Sequence, residues 1–233
     1  MTHPVRTQWI DIAPGFAGYL ALPPAGHGPG LVLFQEIFGV NEHIQGVAQQ
    51  YALAGFVVLA PDVFWREAPK VELGYEGEDW NRAIALMKSY KTEEALSDIA
   101  QTVRVLRGRT EVGGRKVGAL GYCMGGRLAY QAAATTDIDA AVPYYGGGIH
   151  TQLERVAHIS CPMQFHYASD DANIPLEAVE QVRQSFVGKS AQVHVYPNSH
   201  HGFNCWARSS YDAGSAALAH GRALQFLADQ LFD

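Results

Sequence analysis

Short apolar, often β-branched runs alternate along this chain with longer amphipathic stretches. That alternation predicts an α/β fold with a mostly parallel central sheet whose crossovers are helices covering both faces. Strand-sized apolar runs fall at 31–34, 56–60, 116–121, 140–145, 163–167 and 192–196. Apolar residues recur at helical spacing over 43–53, 80–89, 93–106, 124–134, 176–186 and 213–231. The segment up to about Leu22 predicts one or two antiparallel edge strands, and the Pro/Gly-rich residues 23–30 punctuate the chain before the sheet proper. Residues 63–79 mix aromatics and charges with little period, which predicts a loop leaving the sheet edge, where such folds line their sites.

Composition narrows the classes. The 233 residues show no break in composition, so one domain spanning 1–233 is expected. With 48% hydrophobic and 17% charged residues the chain is globular rather than disordered. A net charge of −6 without a Lys/Arg-rich run repels a phosphate backbone, which argues against nucleic acid as a partner. Neither an apolar signal core nor a membrane-length apolar run is present, so a cytoplasmic protein without membrane attachment is expected, as a monomer or small homo-oligomer. Cysteines at 123, 161 and 205 form no CxxC pair and show no His/Cys ligand spacing, which argues against a disulfide framework or structural zinc. With no phosphate-cradling glycine loop and no HExxH, neither cofactor nor metal is expected.

The strongest local signal is Gly121-Tyr122-Cys123-Met124-Gly125-Gly126, between a predicted strand and a predicted helix. This is the strand–turn–helix setting of a nucleophile elbow, G-x-Nuc-x-G. Small residues flank the nucleophile because the turn is sharp and its neighbours are close. The helix N-terminus favours a thiolate at Cys123, and the Met124 amide is free to donate to an oxyanion. The plainer reading is a buried thiol at a tight turn.

In α/β-hydrolases the acid and then the histidine follow the nucleophile along the chain. After the strand at 163–167 come Asp170 and Asp171, with Asp171 preferred for its position before Ile174-Pro175. After the strand ending at Tyr196 come His200 and His201, with His201, just before Gly202-Phe203, preferred. Turn and capping roles for the aspartates stay open at this stage, as do plain surface roles for the histidines. The loop following residue 34 offers the Ile37 amide as a second oxyanion donor. Glu36 is unusual there, since a carboxylate beside an anionic intermediate opposes catalysis unless it is protonated, paired or moved away.

Taken together, Gln35-Glu36-Ile37-Phe38-Gly39-Val40-Asn41, Ala60-Pro61-Asp62, the elbow, Tyr144-Tyr145-Gly146 and His201 resemble the dienelactone hydrolase (carboxymethylenebutenolidase) family from about Gly30 to the C-terminus. The resemblance implies an α/β-hydrolase fold and a Cys123–His201–Asp171 triad with oxyanion donors at Ile37 and Met124. It further implies a resting thiol turned inward toward Glu36 until substrate displaces that carboxylate. The implied substrate is a small enol lactone whose own carboxylate is held by two arginines. One of those positions holds Cys205 here, with Arg208 three residues on, and Arg82 stands as the other candidate. Phe38, Phe64, Trp65, Tyr144 and Trp206 are candidate aromatic walls. Two other readings keep the fold: an esterase or thioesterase acting on a different activated ester, and a non-catalytic sensor built on the Cys123 thiol.

Overall fold

The computed structural model describes residues 4–232; the start of the N-terminal reading, residues 1–3, lies outside them, as does residue 233. Eight strands form one sheet: β1 (Arg6–Ala13), β2 (Phe16–Leu22), β3 (Gly30–Phe34), β4 (Val57–Pro61), β5 (Val117–Tyr122), β6 (Ala140–Tyr144), β7 (Met163–Ala168) and β8 (Ala191–Tyr196). Their spatial order is β1-β2-β4-β3-β5-β6-β7-β8. β1 and β2 form the expected antiparallel hairpin, β2 runs antiparallel to β4, and every other neighbouring pair is parallel. The parallel strands are uniform apolar runs because both faces are covered, and β3, β4, β5, β6 and β7 are buried along their whole length.

Six helices supply the covers: α1 (Glu42–Leu53), α2 (Gly77–Ser89), α3 (Thr92–Arg107), α4 (Met124–Thr135), α5 (Leu176–Ser185) and α6 (Ala213–Leu231). Tyr51 of α1 meets His220 of α6 edge-on, so these two share a face, while α3 packs on α4 against the other. None of the described helices is long and apolar enough to cross a membrane.

Two differences from the sequence pattern have local causes. α2 begins at Gly77, not 80, because Glu78 and Asp79 favour the positive end of a helix and extend it by a turn without adding apolar period. Two short 3-10 segments, Ile149–Thr151 and Leu153–His158, escape periodicity because so few residues carry no repeat. The loop after β4 is tied down. Asp98 of α3 accepts both Arg66 guanidinium nitrogens, at 2.6 and 2.9 Å, and the Trp65 indole N–H at 3.2 Å.

The strand order fixes where chemistry can sit. From β3 the chain moves to β4 on one side and then crosses to β5 on the other, leaving a crevice at the carboxyl ends of β3 and β5. Parallel register aligns Phe34, Gly121 and Pro143, so the loops after β3, β5, β7 and β8 open at the same edge.

Candidate active site

Cys123 caps α4 with φ 57° and ψ −116°, a backbone conformation that L-residues seldom adopt and that costs about 1–3 kcal/mol. Surrounding contacts hold it there: the Cys123 amide donates to the Tyr144 carbonyl at 3.0 Å, and the Cys123 carbonyl accepts from the Gly126 amide at 3.0 Å. The glycines are steric requirements. A Cβ on Gly121 would lie 2.1 Å from the Gly125 carbonyl oxygen, one on Gly125 2.2 Å from that of Phe34, and one on Gly126 2.5 Å from that of Tyr144. The elbow is thus wedged between β3 and β6, with the Cys123 side chain part-exposed above it.

The loops after β7 and β8 meet at the same edge, and their geometry separates each pair of candidates. His201 Nδ1 lies 2.7 Å from Asp171 Oδ2, whose partner oxygen Oδ1 accepts the Asn173 amide at 2.8 Å. The Asp171 side chain is fully buried. Asp170 is exposed and uses its backbone carbonyl to meet His200 Nδ1 at 3.0 Å, at the surface. Burial by itself lowers the His201 pKa. The charge and hydrogen bonding of Cys123 and Asp171 overcome it and lift the imidazole to about 10.

Glu36 is 1% exposed, and its Oε1 accepts from Arg208 at 3.0 Å. The family resemblance implied a resting contact between this carboxylate and the Cys123 thiol. The hydrogen bond Glu36 makes goes instead to Arg208, because the arginine reaches past Gly202 to neutralise the buried charge. A Cβ on Gly202 would sit 2.6 Å from the guanidinium. Arg208 in turn lies over the Phe38 ring, 5.7 Å from its centroid.

A cavity of about 250 Å³ opens above Cys123. That is below the range of about 300–1,000 Å³ typical of sites for drug-sized ligands, so a small substrate fits. Ile37, Phe38, Met124, His201 and Arg208, each a candidate from the sequence, are among the residues that line it. Five other candidates do not line it. Arg82 is exposed and is not among the lining residues, because α2 presents Trp80, Ile84 and Met87 to the cavity at helical spacing i, i+4, i+7, and residue 82 lies on the far side of that stripe. Tyr144 is fully buried beneath the site, stacked on His166 at 4.3 Å; Tyr145 is the ring that meets His201, at 5.1 Å. Trp206 lies outside the cavity, packed edge-on against His43 at 4.2 Å. Phe64 and Trp65 also pack elsewhere, against Tyr90 and Phe16.

Arg127 was not singled out from sequence, yet it lines the cavity one helical turn after Cys123. Among the described residues its guanidinium has no hydrogen-bond or ion-pair partner. The signal was available: a residue four positions after a nucleophile that caps a helix lies on the same helix face. The α2 stripe and Asn173 complete the lining.

Comparison with known proteins bears on this arrangement. The sequence profile of the dienelactone hydrolase family matches residues 16–231. The carboxymethylenebutenolidase of Pseudomonas putida is 34% identical over 215 residues, covering 91% of each chain. A solved Klebsiella pneumoniae protein carrying the dienelactone hydrolase name superposes with a TM-score of 0.85 at 27% identity, covering 96% of this chain and 98% of that one. The dienelactone hydrolase-like promiscuous phosphotriesterase P91 from metagenomic libraries, at 22% identity, shares the fold with the same TM-score over 97% of this chain and 99% of its own. The match along nearly the whole chain, to proteins named as hydrolases, places this chain in the dienelactone hydrolase family of carboxylic ester hydrolases.

Proposed function

We propose that this protein opens a small, carboxylate-bearing enol lactone of the dienelactone type, with Cys123 as nucleophile, His201 as general base and Asp171 as the group that orients it. The observation that carries the reading is the 2.7 Å His201–Asp171 pair beside Cys123 in a small cavity that also holds an unpartnered arginine. The Cys123 thiolate attacks the lactone carbonyl, and the resulting oxyanion is held by the amides of Ile37 and Met124. Collapse breaks the ring C–O bond, leaving an acyl-cysteine and an enolate, a leaving group good enough for a thiolate to expel. His201 passes the thiol proton to the enolate, then takes a proton from water as the water attacks the thioester carbon, and returns it to the departing Cys123 sulfur. Release of the carboxylate product restores the thiol.

Arg127 is the natural partner for the substrate carboxylate. Its guanidinium is uncommitted, whereas Arg208 is already bonded to Glu36 and Arg82 is outside the cavity. A charge-assisted, bidentate Arg–carboxylate contact both binds and orients. A second reading, an esterase for an uncharged activated ester, is favoured by the mainly apolar lining supplied by Phe38, Trp80, Ile84 and Met87.

One assay separates them: hydrolysis of dienelactone followed by loss of its ultraviolet absorbance, with Cys123→Ala as control. Turnover by the wild type alone is expected. Absence of turnover, together with Cys123-dependent cleavage of a neutral aryl ester, would move the substrate to the second reading.

A further inference from the structure

A second cluster of reactive side chains lies behind the catalytic cavity and takes no part in the mechanism above. Glu36 on the loop after β3, His43 in the first turn of α1 and Cys205 on the loop after β8 are all buried, and one ligand atom from each lies within 4.8 Å of the others. His43 is 2% exposed, yet neither ring nitrogen has a hydrogen-bond partner, and Glu36 Oε2 is likewise unpartnered. A buried imidazole ordinarily bonds through at least one nitrogen, so a side chain with both unsatisfied and a carboxylate oxygen and a thiol as neighbours calls for a ligand.

We infer that Glu36, His43 and Cys205 form a binding site for one divalent cation of borderline softness, Zn²⁺ being the type. Thiolate, imidazole and carboxylate form the donor set that selects such an ion over Mg²⁺ or Ca²⁺, and three protein ligands leave a fourth position for water. The edges of a tetrahedral zinc site are about 3.5 Å, so the three groups close on an ion with side-chain shifts of about an ångström.

The surroundings fit that role. Arg208 holds the other Glu36 oxygen, leaving Oε2 turned to the site. Asn41 donates to the Tyr75 hydroxyl at 3.0 Å, and that hydroxyl is free to donate to Cys205, as outer-shell groups do for a bound thiolate. Trp206 holds the imidazole from the outer side. A cleft lined by His43, Tyr75 and Trp206, with Glu42 and Glu72 at its walls, gives an entry path of negative charge. Those carboxylates also offset the positive charge that Arg208 and the ion together bring. Formation of the Cys–metal bond releases the thiol proton to solvent, and no change of oxidation state is involved.

The test is titration of the reduced, full-length Cys123→Ala protein with Co²⁺, a zinc surrogate with a spectrum, so that the catalytic thiol cannot supply the ligand. A near-ultraviolet thiolate-to-cobalt band saturating at one equivalent and bleached by Zn²⁺ is expected. Adding Cys205→Ser should remove the band, and adding His43→Gln should weaken Co²⁺ binding by about tenfold or more. Circular dichroism of each variant establishes that it is folded. No band in the Cys123→Ala protein, a band that survives Cys205→Ser, or affinity unchanged by His43→Gln would each overturn the site. None of these outcomes depends on lactone turnover, so failure here leaves the proposed reaction standing and the converse also holds.

Discussion

At the scale of single residues, the His201 pKa near 10 has a consequence for how the triad would switch roles. The imidazole is held protonated partly by the charge of Cys123, and acylation removes that charge. His201 then returns toward its ordinary value and becomes the neutral base that deacylation needs. The linked stability has a definite sign. With its folded pKa above the unfolded value of about 6.5, His201 stabilises the native state in full below about pH 6.5, and the contribution is lost as pH rises through about 10. Capping Cys123 with iodoacetamide should shift that loss to lower pH in thermal melts, and His201 should titrate lower by NMR. Coincident pH profiles for free and capped protein would refute the coupling. Arg127→Ala should raise KM for a carboxylated lactone by about tenfold or more, the worth of a hydrogen bond to a charged group, and leave KM for a neutral aryl ester nearly unchanged. Equal effects on both substrates would remove Arg127 as the carboxylate anchor. Cys123, His201 and Asp171 could be picked out in the sequence as candidates because each follows a strand closely. Arg82, a candidate carboxylate partner in the sequence, does not line the cavity, because the sequence did not say which side of its helix faces the site.

At the scale of elements, the elbow and helix α6 give opposite answers to the same substitution. Gly125→Ala would force a Cβ to 2.2 Å from the Phe34 carbonyl oxygen and 2.4 Å from that of Gln35, both backbone atoms that cannot step aside. The expected cost is about 1–3 kcal/mol or more, with loss of activity, as α4 backs away from β3. Gly221, on the exposed side of α6, has nothing within 4 Å of its would-be Cβ. Gly221→Ala should therefore stabilise, by up to about 1 kcal/mol from helix propensity. Urea unfolding of the two variants checks both signs. Strand positions were readable as short apolar runs and helix positions from the 3.6-residue period, whereas the early start of α2 and the two 3-10 segments were not, since charges and isolated turns carry no period.

Across the whole molecule, the loop after β4 is strapped to α3 through Asp98, which is 3% exposed at its side chain and joins both Arg66 and Trp65. Asp98→Asn should cost about 1–3 kcal/mol, since Arg66 keeps some access to water. In a chain of this size that corresponds to roughly 2–4 °C of Tm per kcal/mol. An unchanged Tm would mean the strap is superficial. The sequence by itself determined the alternation of strands and helices, the elbow at Cys123 and the candidates Asp171 and His201 on later loops, because each of those signals is carried by a few neighbouring residues. Only the tertiary structure decided that Arg208 pairs with Glu36 across 172 positions, that Arg127 and not Arg82 faces the cavity, and that Glu36, His43 and Cys205 converge. The physical reason is that these contacts depend on how three loops and two helices pack in space. No local period or spacing encodes the meeting of side chains that only a shared sheet edge brings together.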